Sequence, residues 1–254
     1  QTWRSVRFEN KEDEREGEEL MQTQKKPPTE ATVESKYKKI DTSIIPQHYF
    51  GVHYKPYKIQ PQMKEMGMIT NWFKRNPPTN KKTITALFDA ATNGQCIMPA
   101  NYELDEENRL RFVSSSLITI DVDDNNQATN PTDVLNALEG GCGLFYTFSH
   151  GIKGNRYRLV FQLDRPIIND EELYSAVVGE LIDEIVEGIP ELLGVIDRQV
   201  KSPTQVARTG VQGAIIKELT RTIEAQKYIE LVNQERISRA IRRKENFDEN
   251  QKQS

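Results

Sequence analysis

Cysteine is scarce in this sequence: Cys96 and Cys142 are the only two, far apart and without C-x-x-C spacing. Two such thiols can build neither a disulfide framework nor a zinc site, and a reducing cytoplasm is the expected setting. No apolar run approaches the roughly 18 to 20 residues of a membrane span, and nothing has the form of a signal peptide, so no membrane is expected as a partner. A surplus of positive charge is missing too. Thirty-four Lys and Arg against thirty-eight Asp and Glu leave a net charge of -4. Contact with a polyanion must therefore come from local patches. The three histidines, His48, His53 and His150, form no H-x-H, which removes sites built on paired histidines.

What is present suffices for one good-sized domain with appendages, since the chain has 254 residues. It opens on Gln1 rather than Met and closes on a polar stretch ending at Ser254, so it reads as a piece of a larger machine. Residues 1–42 hold a dense charge block from Lys11 to Glu19, then Lys25-Lys26-Pro27-Pro28, with few apolar side chains. Such a segment cannot offset its ordering entropy and is expected to be a mobile arm or an added helix. The core domain is expected over 43–212. Residues 213–254 are expected to be a helical connector, basic at Arg236, Arg239, Arg242, Arg243 and Lys244.

Within the core, Ile84, Leu87, Phe88 and Ala91 recur at i, i+3, i+4 and i+7, an amphipathic helix stopped by Asn93-Gly94. Gln95–Tyr102 and Arg109–Ser114 flank the polar turn 105–108 and predict a hairpin. A strand follows over Leu117–Asp123, then a helix opened by Asn130-Pro131 and closed by Gly140-Gly141. Gly143–Ser149 and Tyr157–Asp164 are strands, Asp170–Gly188 is a long helix, and Val195-Ile196-Asp197 is a last short strand. This order predicts an α+β fold: an RRM-like mixed or antiparallel sheet flanked by helices, with an N-terminal α/β module.

In a strand of period two, Ile118, Ile120 and Val122 share one face while Thr119, Asp121 and Asp123 share the other. Two carboxylates so placed repel unless a cation lies between them, and oxygen-only clusters suit magnesium or manganese. An isolated D-x-D is equally the start of a solvated loop. Asp197 also ends a short apolar strand, and if the two strands are neighbours the three acids can hold two ions about 4 Å apart for phosphoryl or nucleotidyl transfer. His150, after a strand and inside a Gly-flanked loop, can donate to a triphosphate oxygen or serve a structural role. Tyr157, Leu159, Phe161 and Leu163 alternate toward a core, which leaves Arg156, Arg158 and Gln162 on the opposite face to meet phosphate or simply solvent. Gln205 can bond a base or sugar and Arg208 a phosphate, though each is also an ordinary surface residue type.

Together these pieces resemble the archaeo-eukaryotic primase superfamily, in particular the primase-polymerase domains of plasmids, phages and mobile islands. The resemblance rests on four motifs in order over about residues 80–210: the apolar strand into Asp121-x-Asp123, the T-x-S-H stretch ending at His150, the R-x-R-L-V-F strand from Arg156, and the apolar run into Asp197 with Ser202 to Arg208 beyond it. It implies that Asp121, Asp123 and Asp197 bind two Mg2+ or Mn2+ ions and that His150 contacts the nucleotide phosphates. It further implies that Arg158, with Arg156 and Arg208, lies near phosphate. The sequence departs from the family at Phe148, where a small residue is usual, and its two cysteines cannot supply the zinc-binding segment that members often carry. The implied activity is DNA primase-polymerase chemistry: template-directed nucleotide addition on single-stranded DNA from nucleoside triphosphates, often with a fused or associated helicase. Two rivals remain at this point. A non-catalytic RRM-like module would bind nucleic acid through sheet aromatics such as Phe145 and Tyr146. A metal-dependent nuclease or nickase would need, for the nickase, the paired histidines that are missing.

Overall fold

The computed structural model describes residues 45–198 and 202–253, the last ten as backbone only, so the charged segment 1–42 lies outside the described residues. The fold is α+β, with antiparallel sheets flanked by helices, as the alternation of patterns predicts. Its centre is a long strand, β6 (Leu110–Asp124), paired antiparallel with β8 (Asn155–Ile168), which pairs in turn with β7 (Gly141–Tyr146). Two helices complete the unit, α3 (Pro131–Ala137) between β6 and β7 and α4 (Glu171–Gly188) after β8. Ile196 then returns to bridge Val122 antiparallel on the far side of β6. The spatial order is therefore 195–197, β6, β8, β7, the order of a βαββαβ unit.

The core of this unit follows from alternation. Ile118, Ile120 and Val122 of β6 and Tyr157, Leu159 and Phe161 of β8 point to one face, where Val177, Val178, Leu181 and Ile185 of α4 cover them. The helices begin where their caps permit: Asn130 accepts from the Thr132 amide, with Pro131 in the first turn, and Asp170 accepts from the Leu173 amide.

The N-terminal α/β module comprises β1 (Gln47–His48), β2 (Gly51–Pro56), α1 (Met63–Arg75), β3 (Lys82–Thr83), α2 (Ile84–Thr92) and β4 (Gln95–Met98). α2 buries Ile84, Leu87, Phe88 and Ala91, the stripe that the spacing predicts. Gly94 ends it in the left-handed region, at a φ of 71°, where an added Cβ would lie 2.3 Å from the Tyr57 carbonyl oxygen. A second apolar cluster joins Tyr57, Ile69, Phe73, Cys96 and Met98 of this module to Tyr102 of the strand that follows and to Phe148 from the loop after β7. Phe148, the departure from the family pattern, is thus a buried packing residue.

Three local expectations change. Only β5 (Asn101–Leu104) pairs with β6, while Gln95–Met98 pairs with β2, because Pro99 interrupts the expected continuous strand. Residues beyond Gly213 are not immediately helical: β9 (Ala214–Ile216) extends the sheet beside β7, and Lys217 Nζ donates to the last carbonyls of α3. The terminal helix α5 starts at Ala225 and sends Ala225, Tyr228 and Val232 into the main core. Gln162, expected on a phosphate-facing surface, is fully buried: it accepts from His48 Nε2 at 2.7 Å and donates to the carbonyls of Leu219 and Arg221, each at 2.9 Å.

Candidate active site

The backbones of three acids come together at one end of the sheet. Burial of Ile120 and Val122 fixes Asp121 and Asp123 on the reverse face of β6. The Asp123 amide donates to the Val195 carbonyl at 2.8 Å, and the Asp197 amide to the Asp121 carbonyl at 3.0 Å. Asp197 therefore stands across from Asp121. Ile196 enters the core beside Val122, so alternation turns Asp197 to the same face as the other two acids. Asp124 belongs elsewhere: burial pushes its carboxyl up, yet hydrogen bonds from Thr129 and Asn126 outweigh this and hold it below the usual range. It closes the loop after β6.

The arginines face these acids by register. Asp121 is paired with Arg158 and Asp123 with Arg156. Arg158 donates through Nε and Nη2 to both oxygens of Asp121, and the two side chains are only 8% and 15% exposed. Arg156 pairs through Nη1 with Asp123 and donates through Nη2 to Asn125 Oδ1 at 2.5 Å. Its Nε is buried and finds no acceptor among the described residues. Two of the three arginines predicted to meet phosphate, Arg156 and Arg158, thus neutralise two of the predicted metal-binding acids.

His150 reaches the same end through the β7–β8 loop. Gly154, at a φ of 98°, lets that loop lie on the end of β6, since an added Cβ would sit 2.2 Å from the Asp124 carbonyl oxygen. The Arg156 amide donates to His150 Nδ1 at 3.1 Å, and the Tyr146 ring stacks on the imidazole at 4.0 Å. Burial lowers the His150 pKa, which favours the neutral ring. With Nδ1 accepting, the proton of that neutral ring sits on Nε2, which becomes a hydrogen-bond donor.

The fourth predicted segment runs alongside. Ala207 bridges Ile97, which sets Arg208 across from Cys96. Burial pushes the Cys96 thiol up to about 11, against the opposing pull of the nearby Arg208 and Arg158 charges. Gln205 is exposed and shares a narrow cleft with Thr119 and Arg158. Larger hollows lie elsewhere; one of about 480 Å³ is bounded by α4 and α5 on the helical side.

The donor chemistry of Asp121, Asp123 and Asp197 fits a hard divalent cation, and the main-chain ladder brings their backbones together. The side chains themselves are not gathered: among the described residues no three His, Cys, Asp or Glu groups form a cluster able to hold an ion. The reason is local, because Arg158 and Arg156 occupy the oxygens that an ion would take. Sequence reasoning missed Tyr146 as the support of His150 and Asn125 as a partner of Arg156. The alternation of β7 gives the first a signal, but a loop residue such as Asn125 carries none.

No protein-family model matches the chain, and no curated protein matches it. Among solved structures, the AEP domain of the cyanophage S-2L primase-polymerase aligns with 75% of this chain and 94% of its own, at 12% identity and a TM-score of 0.40. No described helix is long and apolar enough to cross a membrane.

Proposed function

We propose that the chain is a primase-polymerase catalytic domain that adds nucleotides to a strand paired with a single-stranded DNA template, using nucleoside triphosphates. The observation that carries this reading is the ladder that sets Asp197 across from Asp121 on the face that also bears Asp123. Asp121, Asp123 and Asp197 would hold two Mg2+ or Mn2+ ions, which when bound activate the attacking hydroxyl and steady the leaving pyrophosphate. His150 Nε2 donates to a triphosphate oxygen. Arg158 and Arg156 turn from carboxylate to phosphate, and Arg156 Nε gains the acceptor it lacks. Arg208 and Gln205 line the approach. Most of the rate then comes from positioning and charge stabilisation. A cytoplasmic replication protein of a mobile element, with a helicase fused or associated, is the setting this chemistry suits.

The RRM-like binding alternative needs exposed aromatics on the sheet. Phe145 is fully buried and Tyr146 is stacked on His150, so neither is free to receive a base. The nickase alternative needs a metal-binding histidine pair, and His48 is instead held between Ser116 and Gln162. The test is nucleotide incorporation on a single-stranded template by wild type and Asp121→Asn, with loss in the variant expected.

A further inference from the structure

The chain is acidic as a whole, but its charge is not evenly spread. Between residues 45 and 83 seven Lys and Arg face a single acid, Glu65. Glu65 is already engaged, capping α1 through the Gln62 amide at 3.0 Å and lying 3.8 Å from Lys55. On α1, Lys64, Met68, Asn71 and Arg75 follow one another along one helix face, and all are exposed. Gly67 lies beside them, with nothing within 4 Å of an added Cβ. Tyr54 of β2 stands next to this face, 68% exposed, its ring 5.9 Å from that of the half-buried Trp72.

We infer that this face of the N-terminal module binds single-stranded nucleic acid, with Tyr54 and Trp72 stacking on bases while Lys64, Arg75 and their basic neighbours track the phosphates. An exposed tyrosine beside a half-buried tryptophan, among basic side chains, is the composition of a single-strand groove, because every base offers a π-face and every linkage a negative charge. A protein partner would have to be comparably acidic to meet this face, whereas a nucleic-acid strand supplies a negative charge at every linkage. The face also shares its support with the Gln205–Arg208 segment. Trp72 packs on the same apolar cluster as Val206, the residue between Gln205 and the Ala207 bridge to β4.

The choice of a single strand rests on the template-using reading above, so the test measures binding without triphosphates or metal ions. Anisotropy of a fluorescein-labelled single strand should rise on titration with the protein. Tyr54→Ala should weaken binding about tenfold, and Lys64→Gln with Arg75→Gln should flatten the salt dependence by about 1.4 in log-log slope. These side chains are exposed, so thermal melting of each variant should match wild type. In a Trp3→Phe background the remaining Trp72 emission should quench as the strand binds. Unchanged affinity and slope in the folded variants, or equal loss on duplex for Tyr54→Ala, overturns the inference. Strand binding through this face by a chain that adds no nucleotide would sink the enzymatic reading and leave this one standing. Nucleotide addition with unaltered binding in the variants would do the reverse.

Discussion

Arg158 and Asp121 face each other in register across β8 and β6, joined by two charge-assisted hydrogen bonds with both side chains largely out of water. Removing one member of such a pair strands the other charge. Asp121→Ala should therefore cost on the order of 3 kcal/mol in stability, while Asp121→Asn, which keeps an oxygen for Arg158, should cost much less. Urea denaturation of the two variants checks this. Equal midpoints would mean that the pair does not hold the sheet end.

His150 should act through one nitrogen. With Nδ1 accepting from the Arg156 amide, only Nε2 is available to donate. His150→Ala should lower nucleotide incorporation about 100-fold with little change in melting temperature, the scale of losing one charge-stabilising donor. Gln in its place should restore part of the rate. Steady-state incorporation at saturating template distinguishes these variants.

Gln162 should prove structural. Its loss leaves His48 Nε2 and the Leu219 and Arg221 carbonyls without a partner in a buried site. Gln162→Ala should destabilise by about 2 kcal/mol or more, yet keep nucleotide addition at a temperature where the variant stays folded. Selective loss of triphosphate binding would return this residue to the site.

The histidines set a pH dependence. Burial is the first cause of the lowered pKa of His48, His53 and His150 alike, each falling from the ordinary 6.5. In the window below 6.5 the unfolded chain binds more protons than the folded one, so stability is complete above that value and is lost as the pH falls toward the folded pKa values. His48, held in a buried site, contributes to this slope with His53 and His150. Urea midpoints between about pH 5 and 8 should be flat at the upper end and decline at the lower end. A midpoint that rises on acidification through this window contradicts the assignment.

Much of the fold was legible because alternation reports burial directly. Ile118, Ile120 and Val122 against Asp121 and Asp123 read correctly, and so did the α2 stripe and the Asn130 and Asp170 helix starts. Cross-strand facts were not legible. That Arg158 opposes Asp121 is a matter of register between strands 37 residues apart, which neither strand's pattern encodes. Gln162 failed for a related reason: its outward alternation was read as exposure, but β1 brings His48 over it from 114 residues away. Asp197 stands between these cases. Its position at a strand end was readable, whereas its place beside Asp121 needed the bridge from Ile196 to Val122.

The most direct test of the central claim incubates the protein with single-stranded DNA, magnesium or manganese, and labelled nucleoside triphosphates, comparing wild type with Asp121→Asn of matched melting temperature. The account predicts labelled product from wild type and none from the variant. Equal product from both, or none from a folded wild type with either ion, would contradict it.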